Sequence, residues 1–379
     1  MKSYFQMQWN LLMAHAKLSP SASARWMTCP GSVHLEPDFK GGDSSIYAEK
    51  GTAMHTVSDY CLTKGLEPKS FIGKTVNKHI ITQDMVEIVQ VYVNYIQSLK
   101  GQKFYEEKVT LAEVINDCWG TADAIIIEGS LMRVIDLKTG GGIRVESEGN
   151  TQLLCYALGA YLKYSPAYDI SAMALTIVQP PMLNIDTWTI SVEELLAFAE
   201  ALKLSYAAIQ NEPNKFVASD KACKWCHAKA QCPEMKRLAN EAAAVDFNSM
   251  SLVTVEEWLP KLKLLSLFIE AVEAKAKDTM LAGGSIEGWK VGEGRKTRSW
   301  TDPTQTELWL KQQGYDQIYT KPVLLSVAQM EAALKGESLD MDSLVTIGYG
   351  QPTIAPEKDK RSSVDKNQSA KKDFEKNAK

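Results

Sequence analysis

The chain has 379 residues, 45% hydrophobic and 23% charged, with a formal net charge of −4, a composition expected of a soluble globular protein of one large or two ordinary domains. No apolar run is long enough to cross a bilayer and the first residues lack the basic-then-apolar order of a secretory signal, so a cytoplasmic protein without a membrane partner is expected. The acidic balance does not mark a nucleic-acid binder, although overall charge constrains a local groove only weakly. Seven cysteines, an odd number without a secretory signal, point to reduced thiols or a metal rather than a disulfide framework.

In chain order, residues 1–17 are a mixed lead-in. Ser-Pro-Ser then signals a short helix within residues 18–29, stopped by Pro30 and Gly31. Cys29, taken alone, reads as a small core residue. A helix is expected from about 48 to 62, its apolar face continued by Val57, Tyr60 and Cys61. It contains His55, which by itself reads as a structural histidine, one turn after Gly51, where a neighbour can approach closely. Residues 82–99 predict an amphipathic helix through Met85, Ile88, Val89, Tyr92, Val93 and Ile96. Residues 103–111 predict a strand with Glu106 and Lys108 on one face, Glu107 and Val109 on the other.

The stretch from Gly120 to Lys138 carries the chemistry. Two apolar runs, 124–127 and 131–135, flank Glu-Gly-Ser and predict a β-hairpin. Asp123 begins the first strand and Asp136 ends the second, so the hairpin brings both carboxylates to one rim. Lys138, two residues beyond Asp136, shares its face. Two acids and a lysine at a sheet edge compose a divalent-metal site with a positioned cation; the alternative is a surface hairpin with ordinary rim charges. A glycine turn, 140–142, precedes a helix over 153–162 opened by Gly149-Asn-Thr-Gln152, with Gln152 and Tyr156 one turn apart. A strand over 172–178 and a helix over 192–209 complete an α/β pattern.

Cys223, Cys226 and Cys232 form C-x2-C-x5-C, a ligand spacing that lacks a fourth thiol nearby. His227 directly follows Cys226, an awkward geometry for sharing one ion, so Cys29 is the better fourth ligand. Residues 254–281 predict one long helix with Trp258, Leu262, Leu265, Phe268, Ile269 and Val272 at helical spacing, ended by Gly283 and Gly284. Short segments follow, including the basic-aromatic run 295–300, which reads as a solvated hairpin edge or a phosphate contact, and amphipathic pieces at 305–313 and 327–334. Beyond residue 350 apolar residues thin out and charges alternate, which predicts a disordered tail.

Taken in order, these motifs resemble the RecB-like branch of the PD-(D/E)XK nuclease superfamily over roughly residues 18–235: a Cys helix, Gly-x-x-x-His, a strand glutamate, Gly-x-x-Asp, Asp-x-Lys, Gln-x-x-x-Tyr and the cysteine tail. The four-cysteine form looks like its iron–sulfur members, the AddB-type nuclease domains and the CRISPR-associated adaptation exonucleases. Over its full length the chain is similar to phage and prophage proteins encoded among recombination genes. The resemblance implies an α/β, restriction-endonuclease-like core, a mixed central sheet flanked by helices, at 18–245. Around it would lie the lead-in 1–17, an accessory α+β domain at 246–352 and the tail at 353–379. It implies a Mg²⁺- or Mn²⁺-dependent deoxyribonuclease, with exonuclease as the expected mode, in the cytoplasm of a bacterial host. Asp123 and Asp136 match its metal-binding carboxylates, joined by the Leu137 backbone carbonyl and by His55, which the resemblance recasts as a ligand. Lys138 matches the lysine beside the scissile phosphate, and Gln152 and Tyr156 a substrate-positioning pair. The strand glutamate maps to Glu106 or Glu107. Cys29, Cys223, Cys226 and Cys232 match ligands of a [4Fe–4S] cluster, with structural Zn²⁺ as the alternative. DNA is the implied partner, together with a single-strand-annealing or single-strand-binding recombination protein. The competing class is a catalytically silent, metal-stapled scaffold of the same fold.

Overall fold

The computed structural model describes residues 16–35, 46–245, 252–315, 318–320, 323–324, 327, 330, 342–349, 353–356 and 362–363. The chain divides into two units, Met1–Ile269 and Glu270–Lys379. In the first, β1 (Thr75–Val76) and β2 (His79–Ile80) make a small ribbon. Five longer strands, β3 (Gln102–Thr110), β4 (Trp119–Glu128), β5 (Leu131–Leu137), β6 (Ala172–Gln179) and β7 (Asn184–Ser191), form one sheet in that order. Neighbours are antiparallel except β5 and β6, which run parallel. The fold is mixed α/β, a five-stranded mixed sheet flanked by helices.

The predicted hairpin is β4–β5. Glu128 pairs with Leu131, and the intervening Gly129 takes φ +58, where a residue without Cβ has no steric penalty. Isoleucines alternate between the two faces of β4, as strand geometry requires. Ile125 and Ile127 face a core shared with Trp26 of α1 (Ser23–Thr28) and with α5 (Thr151–Tyr164) and α6 (Val192–Asn211). Ala124 and Ile126 face Tyr92 and Ile96 of α4 (Gln83–Ser98). On its other flank α4 packs Met85, Val86, Val89 and Val93 against Ala53, Met54, Val57 and Cys61 of α3 (Ile46–Lys64). The sheet is therefore covered on both faces, and β6, an interior strand between β5 and β7, is buried from Met173 to Gln179. A short helix, α2 (Ser32–Leu35), follows Cys29.

Downstream, α7 (Asp220–Cys223) and α8 (Pro233–Ala243) carry the cysteine segment, and α9 (Leu252–Leu281) follows. Trp258 and Leu264 of α9 pack with Cys29, Cys223, Cys232 and Met235, so the first half of this helix belongs with the first unit, and the expected boundary at 246 falls inside that unit. Of the predicted apolar stripe, Trp258, Leu265 and Phe268 pack into that cluster, whereas Leu262, Ile269 and Val272 are exposed.

In the second unit β8 (Trp289–Gly292) pairs with β13 (Thr353–Pro356), β9 (Lys296–Trp300) with β12 (Val345–Tyr349), and β10 (Tyr319–Thr320) with β11 (Val323–Leu324). Helix α10 (Pro303–Gln312), capped by Asp302, contributes Leu310 to a core with Ile318 and Met330. Within the tail expected from 353, residues 353–356 and 363 are paired instead: Ile354 lies opposite Val291, and Ser363 bridges Gly292. Residues 1–15 of the lead-in, most of the 327–334 piece and residues 364–379 lie outside the described residues. Among the described residues no helix is long and apolar enough to cross a membrane.

Candidate functional site

Because β5 is antiparallel to β4 and parallel to β6, one rim of the sheet collects the Asp123 region of β4, the end of β5 and the end of β6. The Ala124–Ile135 pairing sets Asp123 beside Asp136. Asp123 Oδ2 accepts a 2.7 Å hydrogen bond from the Leu137 amide, which ties the two strands where regular pairing ends. Helix α3 delivers His55, whose Nδ1 lies 3.2 Å from Asp123 Oδ1. Gly51, one turn earlier, faces Thr139: a Cβ there would be 3.1 Å from the threonine Oγ1.

The two glutamates of β3 are separated by the structure. Glu106 sits between the Tyr105–Ala124 and Glu107–Ala122 pairs, level with Asp123. Its φ of +45 is a left-handed conformation costly for a residue with a Cβ. One ligand atom from each of His55, Glu106 and Asp123 lies within 4.8 Å of the other two. Glu107 turns away and forms an ion pair with Lys163.

The second half of the site is a closed polar ring. Lys138 Nζ lies 2.9 Å from Asp136 Oδ2 and donates to Gln152 Oε1 at 2.9 Å. Gln152 Nε2 donates to Asp136 Oδ1 at 3.1 Å and to the Tyr156 hydroxyl at 3.3 Å. Helix α5 is aimed by its cap: Asn150 Oδ1 accepts from the Gln152 and Leu153 amides. Gly120 makes room for the Tyr156 ring, since a Cβ there would stand 2.9 Å from it and 3.1 Å from Pro20.

Three carboxylates share this cleft with two cationic groups, and their protonation reflects the imbalance. Desolvation, reinforced by Asp123, lifts the Glu106 carboxyl to about 8. Burial likewise raises Asp136, against the pull of Lys138. For Asp123 burial is outweighed by His55, the Leu137 amide and Lys138, which hold it below the usual range. His55 resists burial through Asp123 and the other acids and rises to about 9. The hard O and N donors of this cluster fit a divalent cation such as Mg²⁺ or Mn²⁺. Sequence reasoning missed Tyr92, read only as an apolar helix position. Its buried hydroxyl has no hydrogen-bond partner among the described residues, and burial, followed by Asp123, Glu106 and Asp136, raises its pKa.

The loop from Lys138 to α5 is held from outside by residues also missed. Gln179 Nε2 donates to the Gly140 and Ile143 carbonyls at 2.7 Å, and its Oε1 accepts from the Val145 amide at 3.0 Å. Asn184 donates to the Val145 carbonyl, and Asp186 accepts from both the amide and the hydroxyl of Ser147 at 2.7 Å. The only sequence signal was the polar-apolar alternation after Leu183, which also announces β7.

Away from the rim, Cys29, Cys223, Cys226 and Cys232 line one cavity with Leu35, Phe216, Val217 and Met235. All four are buried and none is in a disulfide, and the Val217 amide donates to Cys29 Sγ at 3.3 Å. His227, by contrast, is exposed. Cys61, Cys118 and Cys155 are core residues.

A solved structure titled "Crystal structure of SSO0001" aligns with 54% of this chain and 94% of its own length, at 16% identity and a TM-score of 0.22. Residues 15–362 match the family described as "Protein of unknown function (DUF2800)", and the protein belongs to that family.

Proposed function

We propose that this protein is a divalent-metal-dependent deoxyribonuclease with a RecB-like, restriction-endonuclease-like core, acting on DNA in recombination or repair. The observation that carries the reading is the composite rim: His55, Glu106 and Asp123 clustered at ligand distance beside the Asp136–Lys138–Gln152–Tyr156 ring. His55, Asp123, Asp136 and the Leu137 carbonyl would hold the ion, with Glu106 at its edge. Bound Mg²⁺ or Mn²⁺ supplies a water acidic enough to attack a phosphodiester near neutral pH and positive charge for the phosphate oxygens. Lys138, fixed by Asp136 and Gln152, sets a second positive charge where the phosphorane charge develops. Tyr156, joined to Gln152, is available to hold an adjacent phosphate. The crowding of three acids, with Glu106 and Asp136 raised above the usual carboxylate range, is what an ion-binding cleft looks like before its counter-charge arrives.

Cys29, Cys223, Cys226 and Cys232 would hold a [4Fe–4S] cluster, which ties the N-terminal helices to the chain nearly 200 residues later and constrains a long loop. The deciding assay incubates the purified chain with Mg²⁺ or Mn²⁺ and end-labelled linear or closed circular DNA. The wild type is expected to degrade DNA, and Asp136→Ala to lose this while keeping its melting temperature. Undiminished cleavage by Asp136→Ala overturns the site; a wild type inert on every DNA form favours the scaffold reading.

A further inference from the structure

Between β6 and β7 the chain turns through Pro180–Met182, and Leu183 closes the turn by donating its amide to the Pro180 carbonyl at 3.0 Å. Leu183 is 96% exposed, yet its backbone is left-handed, with φ +49 and ψ +38. That region penalises a Cβ and is ordinarily filled by glycine or asparagine. The following residue cannot relax it: Asn184 is buried and bonded to the Val145 carbonyl. Leucine here adds nothing to the core and strains the turn, so the side chain itself needs an explanation.

Its location supplies one. Strand β6 runs parallel to β5, with Asp136 opposite Ile177, and Gln179 pairs with Asn184 on the return. Leu183 thus projects beyond the same strand ends as the acidic rim, about 10–13 Å along the strand direction from Asp136 at roughly 3.3 Å per residue. The projection is braced. A Cβ on Gly141 would lie 3.2 Å from Pro181, and Gln179 grips the carbonyls of Gly140 and Ile143. Ile143 and Ile185, on the two braced segments, are half exposed, and Arg144 is exposed beside them.

We propose that Leu183 is an apolar prong that stacks on the terminal base pair of duplex DNA and parts its strands, one of which is led to the Asp136 rim. The proposal rests on the nuclease reading. One side chain on a braced turn, even with half-exposed Ile143 and Ile185 on the adjoining segments, is too small for a stable protein interface, which needs on the order of 800 Å² per partner, but it matches the face of one base. At about 3.4 Å per base pair its distance from Asp136 corresponds to three or four pairs, so a strand parted at Leu183 has that length to reach the rim.

The test uses the full chain and a blunt duplex carrying 2-aminopurine at its terminal pair, in metal-free buffer so that nothing is cut. Wild type and Leu183→Phe should raise the fluorescence as the pair opens. Leu183→Gly, which relieves the backbone, should bind the duplex without that rise. With Mg²⁺, Leu183→Gly should degrade duplex ends about tenfold more slowly, the worth of one stacking contact, and single strands at the wild-type rate. Equal opening by Leu183→Gly, no opening by bound wild type, or a change confined to binding of a recombination protein overturns the prong. Opening without any cleavage fails the nuclease reading alone, and cleavage without opening fails the prong alone.

Discussion

Gly159 of α5 sets two ordinary expectations against each other. In a helix interior, glycine to alanine gains about 1 kcal/mol. Here, however, a Cβ would stand 2.9 Å from Val109 Cβ, 3.1 Å from its Cγ2 and 3.3 Å from the Thr110 carbonyl oxygen. Carbon pairs prefer about 3.5–4.0 Å, so the helix must lift by half an ångström or more, or β3 must yield. Val109 cannot swing aside, because the nearest atom is its own Cβ, and the residue is 1% exposed. Overpacking of this kind costs about 1–3 kcal/mol, so Gly159→Ala should be net destabilising by about 1 kcal/mol, read as a lower urea midpoint at unchanged slope. Lifting α5 also moves Gln152 and Tyr156 away from Lys138, so cleavage should fall several-fold at temperatures where the variant is fully folded. A variant as stable as wild type, or more so, would refute the close-contact argument.

Two further outcomes follow from the same geometry. The Ser147 amide and hydroxyl hold the Asp186 carboxyl below its usual range; its stabilisation is therefore present above the unfolded carboxylate pKa of about 3.9 and lost as pH falls through the lower folded value. Asp186→Asn should cost about 1 kcal/mol at pH 7 and progressively less below pH 4 in urea melts, and a pH-independent difference would count against the clamp. Protein purified without oxygen should be brown, with about four irons per chain from the cluster's stoichiometry; Cys29→Ser should lose the colour and lower the melting temperature, whereas colourless wild type with one zinc would exclude the cluster.

Much of the first unit was legible because its signals are local. The Ile-rich runs about Gly129 and the α4 stripe are each complete within a few residues. Asp123 and Asp136 could be brought together on paper because a hairpin is a short-range device whose register follows from its turn. Glu106 and Glu107 could not be separated, since strand alternation assigns faces only for regular backbone and Glu106 departs from it at φ +45. The exposed half of the α9 stripe has the same kind of cause: periodicity shows that a helix has an apolar face, not how much of it finds a partner. Thr353–Pro356 was hidden because a four-residue edge strand depends on its distant partner β8 more than on its own composition.

The topology also explains why the chemistry gathers where it does. Strand β5 is the point at which an antiparallel hairpin gives way to a parallel crossover, so the chain leaves its end through a loop instead of turning straight back. At such a switch neighbouring connections diverge and strand-end groups are left facing a crevice. Asp136 and Lys138 occupy that end, Asp123 fills the gap from β4, and the crossover helix returns Gln152 and Tyr156 to the same place. A crevice lined by acids would be unstable were its walls free to spread. Gln179, Asn184 and Asp186 prevent this by fastening the departing loop to β6 and β7, and the turn that joins those two strands is the one that projects Leu183.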